Sequence, residues 1–140
     1  MKFFSIGTLS KQTGVKIPTI RYYEEIGLIE PAERTAGNQR RYSKASQQRL
    51  EFIKHARALG FSIETISALI ELNNHPDSNC KEATEIARVQ LKGVRERIAS
   101  LLRLESELVR ISEGCIGEGV VSECYVLASL ADHSFCENDH

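Results

Sequence analysis

Residues 5–29 read SIGTLSKQTGVKIPTIRYYEEIGLI, and this stretch decides the fold of the N-terminal part of the chain. Ser5 can cap a short helix with apolar residues at helical spacing, and Gly14 then breaks that helix. Pro18 suits the first turn of a second helix, which continues to a stop at Gly27. Two short helices joined through a glycine turn are typical of a helix-turn-helix.

The chain beyond this stretch predicts a wing and two further helices. Residues 29–42 lose helical periodicity and contain Pro, Gly, Asn and several basic side chains, which indicates a hairpin or wing. Ser43 then caps a third helix, and Ser62 begins a fourth. A polar segment at residues 75–79 contains a proline and marks the clearest internal boundary. We therefore expect a winged helix-turn-helix domain over residues 1–76.

A long helix is predicted over residues 80–113. From Lys81 to Ser112 there is no proline and only one glycine. A narrow apolar seam cannot be buried by one such helix alone, so the pattern predicts a homodimer in which a second copy covers it. The alternative is that the seam folds back on the chain's own N-terminal domain. The seam follows a near-heptad rhythm at Ala87, Leu91, Val94, Ile98, Leu101, Leu108 and Ile111.

Charge divides the chain more sharply than its net value of −1 suggests. Through Gly60 the chain has eleven Lys and Arg against five Glu, about +6. The remainder has seven Lys and Arg against fourteen Asp and Glu, a net charge of about −7. A basic N-terminal domain joined to an acidic body is the electrostatic pattern expected of a protein that binds nucleic acid.

Neither a membrane span nor a secretory signal is expected. The apolar runs are far shorter than the ~20 residues that cross a bilayer, and the N-terminus has no small-residue cleavage site. We therefore expect a cytoplasmic protein. In that reducing compartment four cysteines favour metal binding or redox chemistry over structural disulfides.

The positions of three cysteines indicate a metal site in the C-terminal segment, residues 114–140. Cys115 and Cys124 bracket a loop with two glycines, so their thiolates can converge on one ion. Cys80 lies at the other end of the long helix, about 50 Å away at ~1.5 Å per residue. If two helices pair antiparallel, Cys80 of one subunit meets the paired cysteines of the other. The simpler alternative is that these cysteines are small buried apolar residues.

Three thiolates form a soft, anionic site. Such a site suits Zn²⁺, Cd²⁺, Pb²⁺ or Hg²⁺ and disfavours Mg²⁺ and Ca²⁺. A fourth ligand could be water, Cys136 or His133. The same tail is expected to hold a short apolar helix from Tyr125 to Leu130.

An ordered series of motifs resembles the MerR family of metal-responsive transcription regulators. The resemblance begins at Arg21-Tyr22-Tyr23-Glu24, Gly27-Leu28-Ile29 and the segment 37–42, GNQRRY. It continues through Phe52-Ile53 and Leu59-Gly60-Phe61-Ser62 into the long helix and the cysteine loop, and so covers nearly the whole chain.

The resemblance implies a mainly α fold with a winged helix-turn-helix, a long antiparallel coiled-coil dimerisation helix, and a C-terminal metal-binding loop with a short helix. It also implies a homodimer that binds a palindromic promoter operator in double-stranded DNA. Binding of the metal effector would distort that DNA and let RNA polymerase activate metal-resistance or efflux genes.

The resemblance also implies which residues contact DNA. Tyr23 is instead expected to pack in the core, and Gln39 stands where many relatives have an aromatic residue. On the second helix, near the major groove, the contacts would be Lys16, Thr19, Arg21 and Tyr22; in the wing, on the phosphate backbone, they would be Arg34, Asn38, Arg40 and Tyr42.

The cysteines also bear on the branch of the family. Relatives that sense Cu(I) or Au(I) typically lack a cysteine at the position of Cys80, whereas sensors of zinc, cadmium, lead and mercury have one. The loop lacks the second adjacent cysteine and the histidine of a dinuclear zinc sensor, so one ion per site is expected. The spacing of Cys80, Cys115 and Cys124 also matches a three-thiolate mercury site.

Three other functions compete with a divalent metal sensor. One is a thiol redox sensor that uses Cys115 and Cys124 as a disulfide switch, and another is a Cu(I) or Au(I) sensor. A third, a small metallohydrolase with Glu118 or Glu123 as acid or base, leaves the basic N-terminal domain unexplained. No enzyme activity is therefore expected.

Overall fold

The computed structural model describes residues 3–30, 33–114, 120–121 and 124–132. Most of these residues are helical, and the prediction of a mainly α fold with a small wing is confirmed. The helices are α1 (Ile6–Thr13), α2 (Ile17–Glu25), α3 (Lys44–Ala58), α4 (Ile63–Asn73), α5 (Lys81–Glu113) and α6 (Tyr125–Ala131). The strands are β1 (Phe3–Phe4), β2 (Glu33–Arg34) and β3 (Arg40–Ser43).

Three serines begin helices as the sequence predicts. Ser5, Ser43 and Ser62 all have extended backbones, and each hydroxyl accepts a bond from an amide three residues further on. The three oxygen–nitrogen distances are 3.1, 3.2 and 3.2 Å. Such a cap satisfies a backbone N–H that the helix leaves unpaired and contributes about 1 kcal/mol. The starts of α1, α3 and α4 are therefore encoded locally.

The wing belongs to a small antiparallel sheet with the strand order β1-β3-β2. Phe4 pairs with Tyr42 on one side of β3. On the other side Arg34 pairs with Arg40. The predicted hairpin is thus present, and β3 is its central strand.

The first four helices share one apolar core. Five of its side chains have no exposed surface: Leu9 from α1, Ile20 from α2, Leu50 and Ile53 from α3, and Ile66 from α4. Tyr23 is also buried, at 8% exposure, so its predicted core position is confirmed. Because burial of one such apolar side chain contributes about 1.5–3 kcal/mol, this core holds the helix-turn-helix in place.

α5 is one uninterrupted helix of 33 residues. Several apolar residues of its predicted seam are exposed in the single chain: Leu91 at 46%, Ile98 at 51%, Leu101 at 63% and Leu108 at 64%. Exposed apolar side chains at heptad spacing are typical of a coiled-coil surface that a partner helix covers.

The contacts of the chain divide it into two units, Met1–Ile86 and Ala87–His140. The first unit contains the four-helix core, the wing and the start of α5, and the second contains the rest of α5 with α6. The functional division predicted at residues 1–76, 80–113 and 114–140 stays a prediction. Among the described residues, none of the helices is both long and apolar enough to cross a membrane.

Candidate DNA interface and metal centre

The turn between α1 and α2 is held by contacts around Thr13 and Gly14. Gly14 has a left-handed backbone, with φ of 75°, a conformation that costs a residue with a Cβ atom about 1–2 kcal/mol. The Thr13 hydroxyl is buried and donates to the Leu9 carbonyl at 2.8 Å. Lys54 Nζ donates to the Thr13 carbonyl at 2.6 Å. α3 is therefore tied to the turn that leads into α2.

α2 presents a polar face beside its buried one. Ile20 and Tyr23 face the core, whereas Lys16, Arg21 and Tyr22 are exposed. Thr19 is half-buried. Three of the four residues predicted to contact the major groove are therefore exposed, on α2 or at its N-cap. The two cations and the aromatic hydroxyl among them can donate hydrogen bonds to phosphate oxygens and base edges.

Arg34 and Asn38 meet in the hairpin of the wing. Asn38 has a left-handed backbone with φ of 62°, which Asn tolerates better than most residues. Its side-chain oxygen accepts a bond from Arg34 Nη1 at 3.1 Å. Both residues are exposed. The structure therefore brings these two predicted phosphate contacts together on the surface of the wing.

Tyr42 does not lie on the surface where the prediction has it. Only 1% of Tyr42 is exposed. Its hydroxyl donates to Glu24 Oε2 at 2.7 Å, and Arg40 Nη1 contacts the same oxygen at 3.4 Å. The physical reason is that α1 and α3 pack against β3 and cover the face from which Tyr42 projects, whereas alternation places Arg41 on the other face. This contact links β3 of the wing to the C-terminal end of α2.

The pKa values of Tyr42 and Arg40 are both raised, which keeps each of them protonated beside Glu24. Burial is the largest cause that raises the pKa of Tyr42, and the hydrogen bond to the Glu24 carboxylate raises it further. The hydrogen bond with Tyr42, followed by the charge of Glu24, raises the pKa of Arg40. Tyr42 therefore stays a neutral donor and Arg40 a cation at neutral pH.

Three residues of this interface were not predicted as site residues. Glu24 joins α2 to the wing, and Lys54 ties α3 to the helix-turn-helix turn. Arg41 is exposed on the opposite side of β3 from Tyr42. The period of two along a strand could have identified Arg41 as the outward cation. No local pattern marks Glu24 or Lys54, because their partners lie 18 and 41 residues away.

Two candidate thiols lie at the starts of helices. Cys80 is exposed and directly precedes α5, where its carbonyl accepts bonds from the backbone N–H and the hydroxyl of Thr84, both at 3.0 Å. Cys124 is half-buried and is the N-cap residue of α6. α5 therefore separates the two thiols along the chain, as the sequence predicts.

The remaining candidate ligands, Cys115, His133 and Cys136, lie outside the described residues. Within the part of the chain that the structure describes, no group of three or more His, Cys, Asp or Glu side chains could hold a metal ion. The predicted ligand set therefore stays a prediction.

Comparison with known proteins identifies the class of this chain. Residues 4–72 match the MerR HTH family regulatory protein profile, and residues 47–111 match the profile named MerR, DNA binding. The HTH-type transcriptional regulator ZntR of Escherichia coli (strain K12) is 39% identical over 129 residues, which are 91% of this chain and 92% of the relative. The mercuric resistance operon regulatory protein of Shigella flexneri is 36% identical over 126 residues, which are 90% of this chain and 86% of the relative.

Solved structures agree with these sequence matches. The transcription regulator PbrR691 of Ralstonia metallidurans CH34, solved in complex with lead(II), has a TM-score of 0.78 and 32% identity over 91% of this chain and 98% of its own. The dual-function transcriptional regulator MerR of Bacillus megaterium MB1, solved with mercury(II), has a TM-score of 0.70 and 27% identity over 92% of this chain and 100% of its own.

The winged helix-turn-helix, with Arg21 exposed on α2, is typical of a DNA-binding transcription regulator. This chain belongs to the MerR family, whose members bind promoter DNA as dimers. Promoter DNA and a second copy of the chain are therefore its partners, and the exposed seam of α5 is a surface that suits the second copy.

Proposed function

We propose that this regulator senses a soft divalent metal ion at a site shared between two subunits. Cys80 of one subunit and Cys115 and Cys124 of the other are the ligands in this proposal. The observation that carries it is the uninterrupted α5, which begins directly after Cys80 and ends just before the cysteine loop. A helix of this length, about 50 Å at ~1.5 Å per residue, keeps Cys80 apart from the cysteine loop of the same chain.

The donor chemistry fits such an ion. Thiolates prefer Zn²⁺, Cd²⁺, Pb²⁺ and Hg²⁺ over hard cations, and the thiol of Cys80 is exposed and accessible without unfolding. Two relatives support the heavier ions, since one was solved with lead(II) and another with mercury(II). The bound ion would supply the effector signal, and the protein would hold it through three charged sulfur atoms. Cys136 or His133 would add a fourth ligand.

The DNA side of the proposal rests on exposure. Lys16, Arg21 and Tyr22 would contact the major groove and its phosphates from α2, with Thr19 beside them, and Arg34 with Asn38 would contact the backbone from the wing. We assign Arg40 and Tyr42 a supporting role, because both contact Glu24 and Tyr42 is buried. Ion binding would change the DNA geometry that the dimer imposes and so favour RNA polymerase at a metal-resistance or efflux promoter.

A mixed-dimer experiment tests the shared site directly. Dimers are formed from one Cys80→Ser subunit and one Cys124→Ser subunit, and Cd²⁺ binding is followed without oxygen by thiolate-to-metal absorption. One complete site forms in the mixed dimer if ligands come from both subunits, and none forms if all ligands come from one. We expect one Cd²⁺ per mixed dimer, two per wild-type dimer and weak binding to either variant homodimer.

The same titration with Zn²⁺, Pb²⁺, Hg²⁺ and Cu⁺ ranks the ions. Cys136→Ser serves as the comparison variant, because it asks whether a tail thiol completes the site. If Cu⁺ alone binds tightly and Cys80→Ser binds it as well as wild type does, the divalent proposal is wrong. If no ion binds, a disulfide switch of Cys115 and Cys124 becomes the better function.

The proposed DNA contacts are tested by the salt dependence of operator binding. The slope of log K against log salt is negative, and removal of one phosphate contact reduces its magnitude by about 0.9. Arg21→Ala removes one contact per subunit, so the magnitude should fall by about 2 for a dimer. Arg103→Ala is the matched control, because Arg103 is exposed on α5. Equal slopes for Arg21→Ala and wild type would remove Arg21 from the interface.

A further inference from the structure

α6 is attached to the end of α5 through one aromatic ring. The ring of Tyr125 packs so closely on Gly114 that a Cβ atom at residue 114 would collide with it. Tyr125 is the first residue of α6 and directly follows Cys124. The absence of a side chain at Gly114 therefore leaves the space in which the start of α6 docks.

The apolar side chains of α6 are only partly buried within the described part of the second unit. Leu127 and Leu130 of α6 are 47% and 71% exposed. Within α6 the buried residue is Ser129, at 3% exposure. Leu127 and Leu130 thus keep much of their surface in solvent, and polar contacts at Tyr125 add to the packing of its ring on Gly114.

Those polar contacts converge on Arg110. Its Nε and Nη2 atoms donate to the same Glu107 oxygen at 3.2 and 2.9 Å. Its Nη1 atom donates to the Tyr125 hydroxyl, and its guanidinium carbon lies 5.8 Å from the centre of the Tyr125 ring. Glu107 is only 3% exposed. Loss of the Arg110 guanidinium would leave the buried Glu107 carboxylate without its ion-pair partner, which is energetically costly. The ion pair therefore holds the Arg110 side chain in place.

We propose that Arg110 is a positioning residue for the metal ligand Cys124. Glu107 orients the guanidinium from one turn back along α5, the guanidinium holds the Tyr125 hydroxyl, and Tyr125 fixes the adjacent Cys124 at the start of α6. The chain Glu107–Arg110–Tyr125 thereby joins the metal loop to the helix that carries the dimer seam. This inference rests on the proposed function, since it assigns the geometry of one of the proposed ligands.

Substitution of Arg110 by Gln tests the positioning role in two ways. In the metal-free protein, backbone amides of residues 126–132 should exchange with deuterium at least tenfold faster, because Tyr125 loses its donor. In the titration, Cd²⁺ affinity should fall by roughly 10- to 100-fold, the range typical when a residue that orients a metal ligand is replaced. Operator binding without metal should stay unchanged, since the winged helix-turn-helix is in the other unit.

Two further variants separate positioning from general damage. Arg103→Gln removes the same charge from an exposed site on α5 and should leave both measurements at wild-type values. Tyr125→Phe keeps the ring on Gly114 but removes the hydroxyl, so it should reproduce part of both effects. Arg110→Lys should not restore Cd²⁺ affinity, because one ammonium group cannot reproduce the planar contacts of a guanidinium to both partners.

The outcomes distinguish failure of this inference from failure of the metal proposal. If wild type binds no Cd²⁺, the metal proposal fails and with it the role assigned to Arg110, while faster exchange in Arg110→Gln would still identify the attachment of α6. If wild type binds Cd²⁺ and Arg110→Gln binds it within twofold, Arg110 does not position Cys124. Equal losses in Arg103→Gln and Arg110→Gln would also overturn the inference.

Discussion

Replacement of Tyr42 by Phe tests whether the wing is held to α2 through a buried hydrogen bond. The substitution removes only the hydroxyl, which donates to Glu24 at 2.7 Å, and it keeps the ring in the core. A hydrogen bond to a charged acceptor contributes about 1.5–3 kcal/mol. Glu24 keeps its contact with Arg40 at 3.4 Å and some access to water, with 15% of its side chain exposed. We therefore expect a loss of about 2 kcal/mol.

The assay is urea unfolding at a fixed protein concentration, because the stability of a dimer depends on concentration. Tyr22→Phe is the matched control: Tyr22 lies on the same helix as Glu24 but is 49% exposed. Its loss should stay within about 0.5 kcal/mol, as is usual for surface changes. A similar result for Tyr42→Phe would refute the assigned contact.

The pH dependence of the same pair gives a second readout. Burial and the Glu24 carboxylate raise the pKa of Tyr42 in the folded protein, above the value of about 10 expected in the unfolded chain. The unfolded chain therefore loses this proton first, and the stability contributed by Tyr42 is full below about pH 10 and is lost as pH rises through the folded pKa. The stability difference between wild type and Tyr42→Phe should therefore narrow as pH rises above about 10; a constant difference would contradict this.

Three further substitutions test other parts of the fold. Gly14→Ala should lower stability by about 1–2 kcal/mol in urea unfolding, because φ at this residue is 75°; an unchanged midpoint would contradict that. Gly114→Ala should speed amide exchange throughout α6, since its Cβ atom displaces the Tyr125 ring, and normal exchange would show that the ring relocates at no cost. Leu101→Asp should raise the dimer dissociation constant at least tenfold in sedimentation, because Leu101 lies on the exposed seam, and an unchanged constant would place the dimer surface elsewhere.

The helix starts could be predicted from the sequence because the contacts that make them are local. Ser5, Ser43 and Ser62 each bond an amide three residues away, so a short window of sequence contains both partners. The seam of α5 is predictable for the same reason, since its period is a property of one helix. A sequence pattern therefore identifies those elements whose stabilising contacts join residues close together in the sequence.

Tyr42 shows where that approach fails. The resemblance to the MerR family implies that Tyr42 contacts the DNA backbone, yet its side chain is buried. Its environment depends on Glu24, which lies on another element. The alternation of β3 gives a choice of two faces but not which of them is covered. The buried face is decided by α1 and α3, which pack against β3, and only the assembled fold supplies that information.

The candidate metal centre likewise has one part that the sequence predicts and one part that only the fold reveals. Cys80 and Cys124 could be selected from sequence because thiols are few and both stand at the starts of predicted helices. The residues that set the geometry of Cys124 were not selectable, because Arg110 is one of several arginines on α5 and looks like a solvated charge in the heptad pattern. It acquires its role from Tyr125, fifteen residues further on and in a different helix. The candidate ligands can thus be selected from the local sequence, whereas the orientation of a ligand depends on packing between elements. Two relatives with the same three cysteines could therefore differ in metal affinity through residues such as Arg110 and Gly114 that never touch the ion.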